Sequence, residues 1–218
     1  MQTMSPFDER IACTPEPVDP TAFNPHCRLP FGLDIGHVKA AMEEFVDFLG
    51  FINPQLNRKK IPRIESFLMP ANFSSMVGEF MHIGIEKHCP TLIKNRYHNG
   101  HPDLIPKGKL PNDAIQHGAE GIEIKASRYL KAWQGHNAED CWLMVFVFDS
   151  NRPVHKEEDI PPRPFKFVAV YGAQLSKEDW KFSGRSETSR RTITASVMNS
   201  GYAKMVENWI YKQPVIQS

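Results

Sequence analysis

Glu123 and Lys125 stand two residues apart in the run GIEIKAS, Gly121–Ser127. In a strand, that spacing puts both side chains on one face and Ile122, Ile124 and Ala126 on the other. Earlier in the chain, HPDLIPKG places Asp103 after a proline, on or just after a short strand. The connection KGKLPNDAIQHG is long enough for a hairpin with a wide loop, and antiparallel pairing would bring Asp103 beside Glu123. Two carboxylates at close range repel unless a cation sits between them. Oxygen ligands of this kind suit a hard ion, Mg²⁺ first, with a backbone carbonyl such as that of Ile124 completing the shell. A Lys125 ammonium beside it can orient a water or steady extra negative charge on a phosphate. The ion itself lowers the pKa of bound water and polarises a phosphoryl oxygen. Together these parts suit hydrolysis of a phosphodiester.

Pro102-Asp103 followed by Glu123-Ile124-Lys125 resembles the PD-(D/E)xK pattern of the restriction-endonuclease-like nuclease superfamily. The likeness covers residues 73–148 and is supported by the apolar run CWLMVFVFD after the ExK segment. It implies that Asp103 and Glu123 hold Mg²⁺, with Mn²⁺ as a substitute, and that Lys125 assists attack by water. It also implies a further acid from the preceding helix, a place that Glu79 occupies. The expected fold is α/β (α+β): a central mixed β-sheet flanked by helices. The expected activity is Mg²⁺-dependent DNA endonuclease, of the sequence-specific type II restriction kind. The expected substrate is double-stranded DNA, and a homodimer would provide two active sites for two strands. Two features depart from the family pattern. NRPVHKEEDIPPRP is too Pro-rich for the helix that follows the third strand, and Gln134 sits in a Gly-containing turn instead of a "Q…Y" element.

The elements that must position these residues are legible in outline. Val38, Ala41, Met42, Phe45, Phe48 and Leu49 repeat at helical spacing within His37–Phe51, with Gly50 as a stop. A second helix fits NFSSMVGEFMHIGIEKHCP, capped by Asn72 or Ser74 and ended by Pro90. Strands are expected at His101–Pro106, Gly121–Ser127, Cys141–Asp149 and Phe165–Gly172. The third of these is apolar throughout, as in a strand buried on both faces. A last helix is expected from about Met198. Residues 1–34 are Pro-rich and read as an extended arm, leaving 35–218 as one nuclease domain.

Two basic, polar stretches are candidates to hold DNA. One follows the ExK strand and offers Ser127, Arg128, Lys131, Gln134 and His136 beside Trp133. The other, FSGRSETSRRTITAS, offers Arg185, Arg190 and Arg191 for phosphates or guanine edges. NRKKIPR, Asn57–Arg63, is a third basic cluster, expected to be a solvated loop.

The whole chain sets bounds. It has 218 residues and a formal net charge of +1, so total charge gives no support to nucleic-acid binding. No apolar run is long enough to span a membrane and the N-terminus has no signal-peptide pattern, so a cytoplasmic protein without membrane contact is expected. Cys13, Cys27, Cys89 and Cys141 form no CxxC pair and read as free thiols. No Walker loop, GxSxG, HExxH or GxGxxG is present. Two alternatives remain open from sequence. One is a repair, junction-resolving or mobile-element nuclease of the same fold. The other is a non-catalytic DNA-binding module in which Glu123 and Lys125 are only a structural pair.

Overall fold

The computed structural model describes residues 8–135, 137–183 and 194–214. The elements run α1 (Ile35–Arg58), α2 (Ile64–Phe67), α3 (Pro70–His88), β1 (Leu92–Lys94), β2 (Leu104–Pro106), β3 (Ile122–Ser127), β4 (Gln134–Gly135), β5 (Cys141–Asp149), β6 (Lys166–Leu175), β7 (Trp180–Ser183), β8 (Thr194–Val197), α4 (Asn199–Glu207) and β9 (Trp209–Lys212). Six strands form a mixed sheet in the order β1-β2-β3-β5-β6-β9. Only β3 and β5 run parallel; every other neighbouring pair is antiparallel. A small sheet, β4-β8-β7, lies apart from it. The mixed α/β class expected from the sequence is what the chain adopts.

The sheet is buried on both faces, and β5 explains how. Trp142, Met144, Phe146 and Phe148 join the core beneath α1 and α3, with Phe45, Phe73, Val77 and Met81. The alternate residues Leu143, Val145 and Val147 join a second core with Trp133, Trp180 and Met205. An unbroken apolar run is therefore required at β5, because neither face meets water. Each such side chain contributes roughly 1.5–3 kcal/mol by burial.

Several boundaries differ from the sequence expectation. Helix α1 passes through Gly50 and Pro54 and ends at Arg58. Packing of Val38, Ala41, Met42, Phe45 and Leu49 against the core outweighs the local breaking tendency of those two residues. Helix α3 starts at Pro70, not at an Asn72 or Ser74 cap, and has no side-chain cap. Pro at the first helical position lacks an N–H that would be orphaned anyway. The expected C-terminal helix stops at Glu207, and WIYK becomes β9, an edge strand paired with β6. Asn208 makes the break: its side chain donates to the carbonyls of Arg28 and Gly172 and accepts from Arg28 N. The Pro-rich stretch after β5 forms only a short 3-10 turn, Pro153–Lys156.

The described part of the arm, from Asp8 to Asp34, carries two 3-10 turns, Glu9–Ala12 and Pro20–Ala22, and is docked on its own chain. Asn24 N donates to Ile210 O, Glu16 N donates to Phe165 O, and the Phe23 ring lies 4.8 Å from that of Tyr211.

The NRKKIPR cluster divides in two. Arg58, Lys59 and Lys60 are exposed, as expected of a solvated loop. Arg63, in contrast, has no exposed surface. Its guanidinium donates to Glu9 (2.7 Å), Glu65 (2.8 Å), Asn151 Oδ1 (2.9 Å) and the Arg163 carbonyl (2.9 Å). Asn53 completes the cluster by donating to Glu65. Removing one partner of such a group leaves buried charge without compensation. Arg63→Ala is therefore expected to lower unfolding free energy by about 3–5 kcal/mol, measured by urea denaturation. Lys59→Ala should stay within about 0.5 kcal/mol of the parent.

Candidate active site

The pairing of β2 with β3 builds the site. The register sets Leu104 opposite Ile122, so Asp103, immediately before β2, arrives at the level of Glu123 and Ile124. Asp103 Oδ2 accepts a hydrogen bond from Ile124 N at 2.8 Å. Ile122 and Ile124 enter the core under α3, and Glu123 and Lys125 take the alternate side of the strand. Gly121 makes the close approach possible. Its φ is +151°, and a Cβ there would sit 2.2 Å from Leu104 O and 2.4 Å from Pro102 Cγ. Only glycine allows both strands to meet at this point.

Further side chains enter the site. His101 lies between two acids, with Nδ1 2.9 Å from Glu123 Oε2 and Nε2 2.9 Å from Glu139 Oε2. Lys125 Nζ donates to Glu123 Oε1. Both oxygens of Glu123 are thus engaged, one by the His101 ring and one by the Lys125 ammonium. On α3, Glu79 Oε2 lies 3.1 Å from His82 Nε2 and 3.2 Å from Lys94 Nζ.

Charge balance follows from these contacts. Burial, and then the Glu123 charge, push Asp103 up to about 7, with Lys125 and the Ile124 N–H pulling the other way. Burial also works against the Glu123 anion, but His101 and Lys125 outweigh it and hold Glu123 below the usual carboxylate range. Burial opposes the Lys125 ammonium as well, yet Glu123 and Asp103 keep its pKa raised. His101 is raised for the same reason: burial lowers it, and Glu123 and then Glu139 more than restore it. Burial lowers His82 despite the nearby Glu79, so its imidazole is neutral at pH 7.

Asp103 sits where two open cavities adjoin. The larger, about 690 Å³, runs from Glu79 and His82 past Lys94 to the turn Arg96–Gly100. The smaller, about 190 Å³, is walled by Ser74, Ser75, Gly78, Lys125 and Ala126. Glu79, His82 and Asp103 line both. Three of the expected residues, Asp103, Glu123 and Lys125, are therefore brought together. Glu79 shares a cavity wall with Asp103 and Lys125 but is tied to His82 and Lys94.

Asp103 and Glu123 are the oxygen donors that a hard divalent cation would use here. No three His, Cys, Asp or Glu side chains converge to hold a metal among the described residues. Mg²⁺ does not require that, since it keeps several waters and uses one or two carboxylates plus substrate phosphate oxygens. Asp103 and Glu123 would hold the ion, with free lone pairs left on both.

The residues expected to grip DNA are dispersed. Arg128 lies 5.1 Å from the Phe73 ring centre and 4.9 Å from that of Phe148, and donates to Ser150 Oγ. Lys131 Nζ stands 5.5 Å over Tyr202, Gln134 reaches Ser196 Oγ, and Ser127 Oγ accepts from Tyr129 N. This segment is bends and a two-residue strand, with Trp133 buried beneath. His136, Arg185, Arg190 and Arg191 lie outside the described residues. Sequence reading did not single out the roles of His101, Glu139, His82 and Lys94. His101 had a usable signal, since it belongs to the same HPD tripeptide. Glu139 had none, because its contact depends on how residues 128–140 return to the sheet.

Two predictions follow from this geometry. Asp103 binds its proton more tightly in the fold than in the unfolded chain. Its contribution therefore favours the fold below about pH 4 and is lost as pH rises through the folded value. In metal-free buffer, Asp103→Asn should raise stability by about 1–2 kcal/mol at pH 8, with the gain vanishing toward pH 4; thermal melts across that range check it. Gly121→Ala should force β2 away from β3 and cost roughly 1–3 kcal/mol, read by urea denaturation.

No protein-family model matches the chain, no curated protein matches its sequence, and no solved structure matches its fold.

Proposed function

We propose that the protein is a divalent-cation-dependent DNA endonuclease. The observation that carries the reading is the meeting of Asp103, Glu123 and Lys125 across the β2–β3 register, beside an open cleft. A carboxylate pair beside a charged lysine suits phosphodiester hydrolysis.

Each residue then has a distinct task. Asp103 and Glu123 bind Mg²⁺ or Mn²⁺, which when bound acidifies a water and polarises a phosphoryl oxygen. Lys125 stays protonated and presents its charge to the extra negative charge of the transition state. His101 keeps Glu123 ionised and fixes its direction. Glu79 forms one wall of the cleft through its pairing with Lys94. In this reading the activity is sequence-specific cleavage of duplex DNA by a homodimer, in the manner of a type II restriction enzyme.

The test is incubation of the protein with plasmid and phage DNA in Mg²⁺ or EDTA. Cleavage should require Mg²⁺, and Asp103→Ala and Lys125→Ala should each reduce it at least about 10²-fold. Discrete fragments would identify sequence-specific cutting, and preference for branched DNA would identify a repair or junction-resolving enzyme. Cleavage undiminished in Asp103→Ala would overturn the site.

A further inference from the structure

The larger cleft beside Asp103 ends in a turn whose construction differs from an ordinary surface loop. Asn95, just after β1, is buried with its side-chain amide fully engaged. Its side-chain amide donates to Pro102 O (3.0 Å) and Ile115 O (2.8 Å), and its oxygen accepts from Tyr97 N (3.1 Å) and Ile115 N (3.0 Å). Its own N–H donates to Asp103 O at 2.8 Å. Gly100 closes the turn, and a Cβ there would meet Asn95 Nδ2 and Ile115 O at 2.5 Å each. Buried polar groups satisfied this fully hold one conformation.

This rigid frame points three unlike groups outward. Arg96, Tyr97 and His98 are all exposed and all line the cleft that reaches Asp103. No salt bridge engages Arg96 among the described residues. Two of these groups suit phosphate, by charge or by hydrogen bond, and the aromatic ring offers a flat face to a base. The cleft volume, about 690 Å³, is that of a small-ligand pocket. That is room for about one or two nucleotides.

We propose that the turn Arg96–Asn99 is the grip for the substrate strand. A nucleotide next to the scissile bond lies unpaired in the cleft, its base on Tyr97 and its phosphates beside Arg96 and His98. Asn95 ties this grip to the backbone of Asp103, so the phosphate is delivered in register with the acid. The inference rests on the nuclease reading above and names the part of the substrate that enters the site. It also moves the main strand contact from the segment after β3 to the turn before β2.

The test is fluorescence anisotropy with labelled 20-nucleotide single-stranded DNA and the matching duplex, with Ca²⁺ in place of Mg²⁺. Thermal melts should show Arg96→Ala and Tyr97→Ala folded as the parent, since both side chains are exposed. Tyr97→Ala should weaken single-strand binding on the order of ten-fold, and Tyr97→Phe should restore it. Arg96→Ala should weaken binding and reduce the salt slope by about 0.7. Parental affinity and slope in both alanine variants would overturn the grip while leaving the nuclease reading intact. Failure of the parent protein to bind either DNA would overturn both.

Discussion

Asp103 and Glu123 are brought to one level by the β2–β3 pairing with their carboxylates partly buried, and much of the surrounding structure answers that constraint. The β2–β3 pairing sets the approach and Gly121 permits it. Lys125 and His101 both contact Glu123, while Asp103 is raised first by burial and then by the Glu123 charge. Raising Asp103 in this way costs stability at neutral pH. Local instability of this kind is common where a site must be ready for a charge that arrives with its ligand.

The frame is built to bear that cost elsewhere. β5 lies parallel to β3 and supplies an apolar layer to each side of the sheet. Helices α1 and α3 cover one face, and α4 with the small sheet covers the other. α3 has a double role, since its apolar side packs on β3 and its polar side carries Glu79 and His82 to the cleft. Far from the cleft, the buried Arg63 cluster joins the arm, α2 and the turn after β5 through one guanidinium. The arm is thereby part of the same folded body.

The two ends of the site are asymmetric. On the β1 side, a turn locked by Asn95 presents Arg96, Tyr97 and His98. On the β3 side, Arg128 is drawn toward the core by Phe73 and Phe148. Burial lowers its pKa to about 10, with the neighbouring Arg152 adding to the effect, yet it remains a cation at neutral pH. A basic side chain close in sequence to an active strand is thus engaged by packing, and one preceding it is left available.

The sequence by itself determined which groups meet in the acid pair, because strand alternation and a hairpin connection are local rules. Glu123 and Lys125 on one face, Asp103 across from them, and β5 as a doubly buried strand could all be read from spacing. The α1 and α3 stripes were legible too, although their ends were not, since tertiary packing carries α1 through Gly50 and Pro54. Only the tertiary structure decided the environment of each charge. Arg63 and Lys59 look alike in NRKKIPR, but one meets Glu9, 54 residues away, and the other meets water. His101 finds Glu139, and WIYK becomes β9 because β6 presents an open edge. The reason is physical: the chemistry of a side chain is written locally, whereas its dielectric surroundings and partners come from segments far away in the chain.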